Sequence, residues 1–298
     1  MKITALEIEL DSLRIITDSG AVGACALAVP EHQRIVDTTF RDVLIDADPF
    51  RREALWQELT RRAGADATAH EAVAPVDAAL WDLLGAHLGM PVRRVIGGFR
   101  EHAPSMAFGA PSASIDEIVA QAQYAAARGY TAFCDRFAGA PAEFTALASQ
   151  VRAAVGADFV LAHDGYRRHR ATDALRIGRV LDEYDYFWFI RPLAAPEPEA
   201  LRSLAARLDT PLVDGASGPD AFARAAHLVG SQAVDVLLID VRRSGGITGA
   251  LKLARMAEAF GIHCAFELDD GCGGRAITHL LGAIRNAPFR LMDAHISP

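Results

Sequence analysis

The chain has 298 residues, of which 51% are hydrophobic and 23% charged. That is ordinary globular composition, with length enough for one large domain or two unequal ones. A net charge of −8 argues against nucleic acid or an anionic membrane as partner, and no apolar run nears the ~18–20 residues of a membrane span.

The N-terminus, Met1-Lys2-Ile3-Thr4, carries no apolar signal region, which predicts a cytoplasmic protein. Cys25, Cys134, Cys264 and Cys272 show no metal-type spacing and read as free thiols of a reducing compartment. Ile3 to Leu10 alternates, Asp11-Ser12 turns, Leu13 to Thr17 alternates again, and Asp18-Ser19-Gly20 turns before Val22 to Leu27. This is the pattern of a small antiparallel meander. Helical stretches follow at 32–43, 50–63 and 69–88, the last ending at Gly89 with Pro91 beyond.

After Gly97-Gly98 the rhythm changes. Short apolar runs at 105–108, 131–136, 159–164, 186–190, 211–215, 234–240, 263–268 and 289–293 alternate with amphipathic helices such as Ile115 to Arg128 and Ala250 to Phe260. Eight strands with helices between them predict an α/β fold with a closed parallel barrel that stops just after its eighth strand. Chemistry in such a barrel collects at the C-terminal strand ends. Those ends carry Cys134 and Arg136, His163 and Asp164, Arg191, Asp214, Asp240, then Glu267, Asp269 and Asp270, and finally Asp293. Alternation puts 134 with 136, and 214 with 216, on one strand face. Asp164, Asp240 and Glu267 end apolar runs and read as site residues. Asp269 and Asp270 read equally as loop charges or helix caps.

Several strings, in order, resemble the mandelate racemase and muconate lactonizing branch of the enolase superfamily. They are Thr17-Asp18-Ser19-Gly20-Ala21-Val22-Gly23, Val76-Asp77-Ala78-Ala79-Leu80-Trp81-Asp82-Leu83, Gly89-Met90-Pro91, Ile96-Gly97-Gly98, Gly129-Tyr130-Thr131-Ala132-Phe133 and Ser244-Gly245-Gly246-Ile247-Thr248. The resemblance implies an α+β capping domain over 1–98 and a (β/α)7β modified TIM barrel over 99–298. It also implies a homo-oligomer acting on a small carboxylate or acid sugar. Family members hold Mg²⁺ on three carboxylates at the ends of strands three, four and five. The ion stabilises the enediolate left when a base removes the proton α to a carboxylate, a step that needs concentrated positive charge.

Carried over by position, the first ligand is Asp164, the second is Ile190 in Ile190-Arg191-Pro192, and the third is Ala216 in Gly215-Ala216-Ser217. The strand-two Lys-x-Lys motif reads Cys134-Asp135-Arg136 here. The strand-six aspartate remains as Asp240, Glu267 stands at the strand-seven histidine position, and Asp293 stands where many members place a glutamate. A long lid loop between the first two strands is replaced by Asp11-Ser12.

No cofactor is therefore expected, although the family implies Mg²⁺. Asp164 with Asp214 is the one pair placed to hold a relocated ion. Arg136, beside Asp164, reads as a replacement for the metal's charge, or as its plain ion-pair partner. Asp240 and Glu267 on adjacent strands are an acid–base pair in which one pKa rises, unless Arg242 or Arg243 quenches it. The candidate catalytic residues are thus Arg136, Asp240 and Glu267, and the candidate substrate contacts are Cys134, Arg191 and Asp293. Cys134 serves equally as a small apolar filler. The expected function is a family relative that has lost the Mg²⁺-dependent proton abstraction. The alternative is a divergent isomerase or acid-sugar dehydratase using Arg136, Asp164, Asp240 and Glu267.

Overall fold

Alternation in the N-terminal segment builds an antiparallel sheet in the order β1 (Ile3–Glu9), β2 (Ser12–Thr17), β3 (Val22–Ala26). The structure is a computed structural model that describes residues 1–9, 11–27, 29–267 and 273–293. Glu9 pairs with Ser12, which opens β2. A short helix α1 (Pro30–Ile35), a π-helical turn at Val36–Phe40 and α2 (Arg41–Leu44) follow. The sequence predicted one regular helix there. Val36, Phe40 and Leu44 are all fully buried at a spacing of four. That spacing drifts around a helix of 3.6 residues per turn, and the wider π turn keeps the three on one face.

Helix α3 (Arg52–Ala63) precedes the long helix α4 (Ala67–Leu88), which starts on the Asp66 carboxylate and ends at left-handed Gly89. The cap accepts from the amides of Thr68 and Ala69, satisfying two otherwise orphaned donors. β3 lies against α4 because Gly23 has no side chain. A Cβ there would stand 2.1 Å from the Ala79 carbonyl oxygen.

One turn of helix, α5 (Val92–Val95), leads into the barrel. It runs β4 (Ser105–Phe108), α6 (Ile115–Ala127), β5 (Ala132–Asp135), α7 (Phe144–Val155), β6 (Val160–Asp164), α8 (Ala171–Glu183), β7 (Trp188–Ile190) and α9 (Pro198–Ala205). It continues β8 (Leu212–Ala216), α10 (Ala221–Gly230), β9 (Val236–Ile239), α11 (Gly246–Ala259), β10 (His263–Phe266), α12 (Gly273–Ala283) and β11 (Arg290–Asp293). The parallel ladder runs β10-β9-β8-β7-β6-β5-β4-β11, and its two edge strands touch. The eight apolar runs are thus the eight strands of a nearly closed barrel, each within three residues of its predicted ends. Among the described residues no helix is long and apolar enough to cross a membrane.

The barrel interior is filled by inward side chains, including Met106, Phe108, Cys134, Trp188, Ile190, Leu238 and Leu291. A second apolar layer lies between strands and helices, and a third core belongs to the N-terminal unit. The units are locked where α4 meets α11. Trp56 Nε1 donates to the Gly245 carbonyl at 2.8 Å, and Trp81 Nε1 to Thr248 Oγ1 at 3.0 Å. Asp77 accepts from the Thr248 amide at 2.9 Å and from its hydroxyl at 2.5 Å. α11 has only Gly245 at its own N-cap, so Asp77 caps it from the other unit. The Gly245-Gly246 turn admits this, since a Cβ at Gly246 would lie 2.6 Å from Asp77 Oδ2. Helix N-termini follow strand C-termini, so the lock sits at the same barrel end as the candidate site.

Candidate functional site

Asp164 ends β6 with its side chain fully buried, and Arg191 follows β7 directly. Arg191 Nε donates to Asp164 Oδ1 at 3.1 Å and Nη2 donates to Oδ2. Its Nη1 donates to Glu267 Oε1 at 2.6 Å. Asp164 Oδ1 also accepts from the Tyr166 amide at 2.9 Å, so both of its oxygens are engaged. Burial works against the Arg191 charge. The hydrogen bonds and charge of Asp164, with the charge of Glu267, outweigh it and raise the pKa above the ordinary value. An ionic fork of this kind is the geometry for which arginine, not lysine, is suited.

The backbone at this corner is strained. Tyr166 (φ +53°), Arg167 (φ +56°) and Arg191 (φ +47°) are left-handed without being glycine. Each such residue costs about 1–3 kcal/mol unless its surroundings hold it. Here the Arg167 amide donates to the Arg191 carbonyl at 2.9 Å, tying the two segments together. The Arg167 guanidinium then binds Asp214 with contacts of 2.7 and 3.2 Å. Burial pushes the Asp214 carboxyl up, and Arg167 opposes the rise.

Arg136 lies in the same corner. Its Nε stands 4.0 Å from Asp164 Oδ2, and its guanidinium lies 5.0 Å from the Phe108 ring centre and 5.3 Å from that of Tyr166. The guanidinium groups of Arg168 and Arg191 each lie 4.9 Å from the same tyrosine ring. The direct cationic partner of Asp164 is therefore Arg191, with Arg136 behind it.

Asp240 and Glu267 are neighbours, as the Glu267 amide donates to the Ile239 carbonyl at 2.8 Å. Burial raises the Glu267 pKa; Arg191 lowers it and Asp240 adds to the rise. Each acid has its own arginine. Asp240 accepts from the Arg243 amide at 2.9 Å and lies 3.6 Å from Arg243 Nε. Arg243 and Arg242 also reach Glu71 on α4, at 3.0 and 3.4 Å.

Cys134 is fully buried inside the barrel, and burial, then the charges of Asp164 and Asp135, push its thiol well above the usual range. Asp293 ends β11, but its side chain lies outside the described residues, as do Asp269, Asp270 and Cys272. Of the other two family ligand positions, Ile190 packs in the barrel interior and Ala216 in the outer layer beside Ile239. Among the described residues no three His, Cys, Asp or Glu side chains converge as a metal set. Mg²⁺ demands near-octahedral oxygen ligands. Two hydrocarbon side chains and a carboxylate already held by a guanidinium do not fit it.

The sequence reading missed two features. One is Tyr166-Arg167, which supplies Asp214's partner and the ring against which three arginines gather. Its signal was the basic run Arg167-Arg168-His169-Arg170 directly after strand three. The other is a fully buried pair on the outward strand face, His163 Nδ1 to Asp135 Oδ1 at 2.7 Å. Both alternate with the inward-facing Cys134 and Asp164 along their strands, which is the signal that could have found the pair.

Architecture and mouth together define a capped β/α-barrel protein whose strand ends are built from ion pairs. Residues 3–97 match the mandelate racemase / muconate lactonizing enzyme N-terminal domain, and residues 117–297 match the enolase C-terminal domain-like family. The chain belongs to the mandelate racemase / muconate lactonizing enzyme branch of the enolase superfamily. It is 30% identical to a D-galactonate dehydratase of Ralstonia nicotianae over 275 residues, covering 85% of this chain and 70% of the relative. It is 27% identical to a D-mannonate dehydratase of Sphingomonas over 309 residues, covering 89% and 76%. Its fold matches D-glucarate dehydratase from Agrobacterium tumefaciens, solved with magnesium. There the TM-score is 0.88 at 26% identity, over 98% of this chain and 86% of that one.

Proposed function

We propose that this chain keeps the family frame and has lost the Mg²⁺-dependent removal of a proton α to a carboxylate. The observation that carries this reading is the Arg191 fork, which takes both oxygens of Asp164, the one ligand position that is still acidic. Magnitude supports it. Losing one preorganised electrostatic stabiliser commonly costs ~10²–10³ in rate. Here Ile190 and Ala216 stand at two ligand positions, Cys134 and Arg136 at the lysines, and Glu267 at the histidine. Calorimetric titration with millimolar Mg²⁺ and Mn²⁺ is expected to give no specific binding. A panel of galactonate, mannonate, glucarate and talarate is expected to give no Mg²⁺-dependent turnover. A saturable ion together with turnover overturns the reading.

A second reading is a divergent isomerase or acid-sugar dehydratase that uses Arg136, Asp164, Asp240 and Glu267. The similarity to D-galactonate dehydratase over most of the chain favours it. Metal-independent turnover of one acid sugar, abolished by Glu267→Gln, would establish it in place of the first. In both readings the ligand class is a small carboxylate or acid sugar.

A further inference from the structure

The failure of this mouth to fit a metal leaves a physical question, namely what offsets the charge of its buried acids. Asp164 has no side-chain exposure and Glu267 is two-thirds buried, and they come from strands three and seven. Buried carboxylates need a cation or enough hydrogen-bond donors, or must keep their protons. One guanidinium meets both acids, with two contacts on Asp164 and one on Glu267. Asp240, next to Glu267 in the ladder, adds to the negative field at Glu267.

The chain holds the cation in place against backbone preference. Arg191 and its hydrogen-bonded neighbour Arg167 are both left-handed, and so is Tyr166, whose amide binds the same aspartate. The Arg191 guanidinium also lies 4.9 Å from the centre of the Tyr166 ring. An incidental surface ion pair has none of this support.

We infer that Arg191 is a built-in cation, which does as part of the chain what a bound ion would do, joining the end of β6 to the end of β10 across the mouth. This rests on the reading that the family's metal site is lost. As a positioning residue, Arg191 makes the shape of the mouth independent of any divalent ion, and its charge, not only its packing, is what the corner uses.

The experiment follows the thermal midpoint of wild type, Arg191→Lys, Arg191→Gln and Arg191→Met, each in EDTA and in 5 mM MnCl₂. Wild type is expected to be indifferent to Mn²⁺. Arg191→Lys, which keeps the charge but not the fork, is expected to melt well above Arg191→Gln. In Arg191→Met a hard divalent ion can take the emptied place between the two carboxylates, and Mn²⁺ is expected to raise its midpoint by about 3 °C or more. Adding Asp164→Asn should remove that response. If Arg191→Gln equals Arg191→Lys, and Mn²⁺ does nothing for Arg191→Met, the inference is overturned while the loss of the family's metal site stands. If Arg191→Met does not fold in either buffer, the lysine and glutamine variants decide alone. A Mn²⁺ response in wild type overturns the loss of the metal site itself.

Discussion

Asp77 at the junction of the two units and Asp164 at the barrel mouth are both almost fully buried, and they are stabilised in opposite ways. Asp77 accepts hydrogen bonds from neutral donors, the amide and hydroxyl of Thr248. Arg52, stacked on the Trp81 ring, acts on Asp77 through its field. Burial therefore wins, and the Asp77 pKa is pushed up to about 7. Asp164 meets a guanidinium directly. At Asp77 the neutral donors do not make up for burial, whereas Asp164 has a tethered cation in hydrogen-bond contact. That is why the junction is a lock and the mouth an ion-paired surface.

The largest test of this contrast is Arg191→Ala. Leaving Asp164 and Glu267 without their shared cation should cost about 3–5 kcal/mol in urea unfolding, as for other broken buried pairs. A loss below about 1 kcal/mol would place the corner among surface pairs and erase the contrast.

The next test is the pH dependence of stability through Asp77. An unfolded aspartate loses its proton near 3.8, whereas folded Asp77 keeps it to about 7. Between these values the folded state binds more protons. The contribution is therefore full below about pH 4 and is lost as pH rises through 7, with a span of at most about 4 kcal/mol. Asp77→Asn should flatten this part of the profile when urea midpoints at pH 5 and pH 8 are compared. An unchanged slope would mean that the neutral donors do offset burial.

The smallest effect is expected at Lys252, whose 2.6 Å pair with Glu53 also bridges the two units but is exposed on both sides. Lys252→Ala should change stability by about 0.5 kcal/mol, and less in high salt. A loss of several kcal/mol would show that exposed ion pairs, and not the buried lock, hold the units together.

Much of this was legible beforehand. Period-two and period-3.6 patterns are local, so the eight strands and most helices could be placed from the chain alone. The exception, the π turn at Val36–Phe40, arises because packing required a spacing of four. The strand ends also showed which acids stand at the mouth. They did not show which arginine serves which acid. Arg136 and Arg191 each follow a strand end and each lies near Asp164, but it is Arg191, on a left-handed backbone, that makes the hydrogen-bonded fork. Arg167 was invisible as a partner of Asp214, because the two are separated by 47 residues.

The sequence by itself therefore determined the order of elements, the family frame, and the hydrocarbon residues at Ile190 and Ala216. It did so because those features depend on near neighbours and residue type. Only the tertiary structure decided the pairing of charges at the mouth. Arg191 and Glu267 lie 76 residues apart in the chain. An ion pair depends on distance in space, and barrel closure sets that distance.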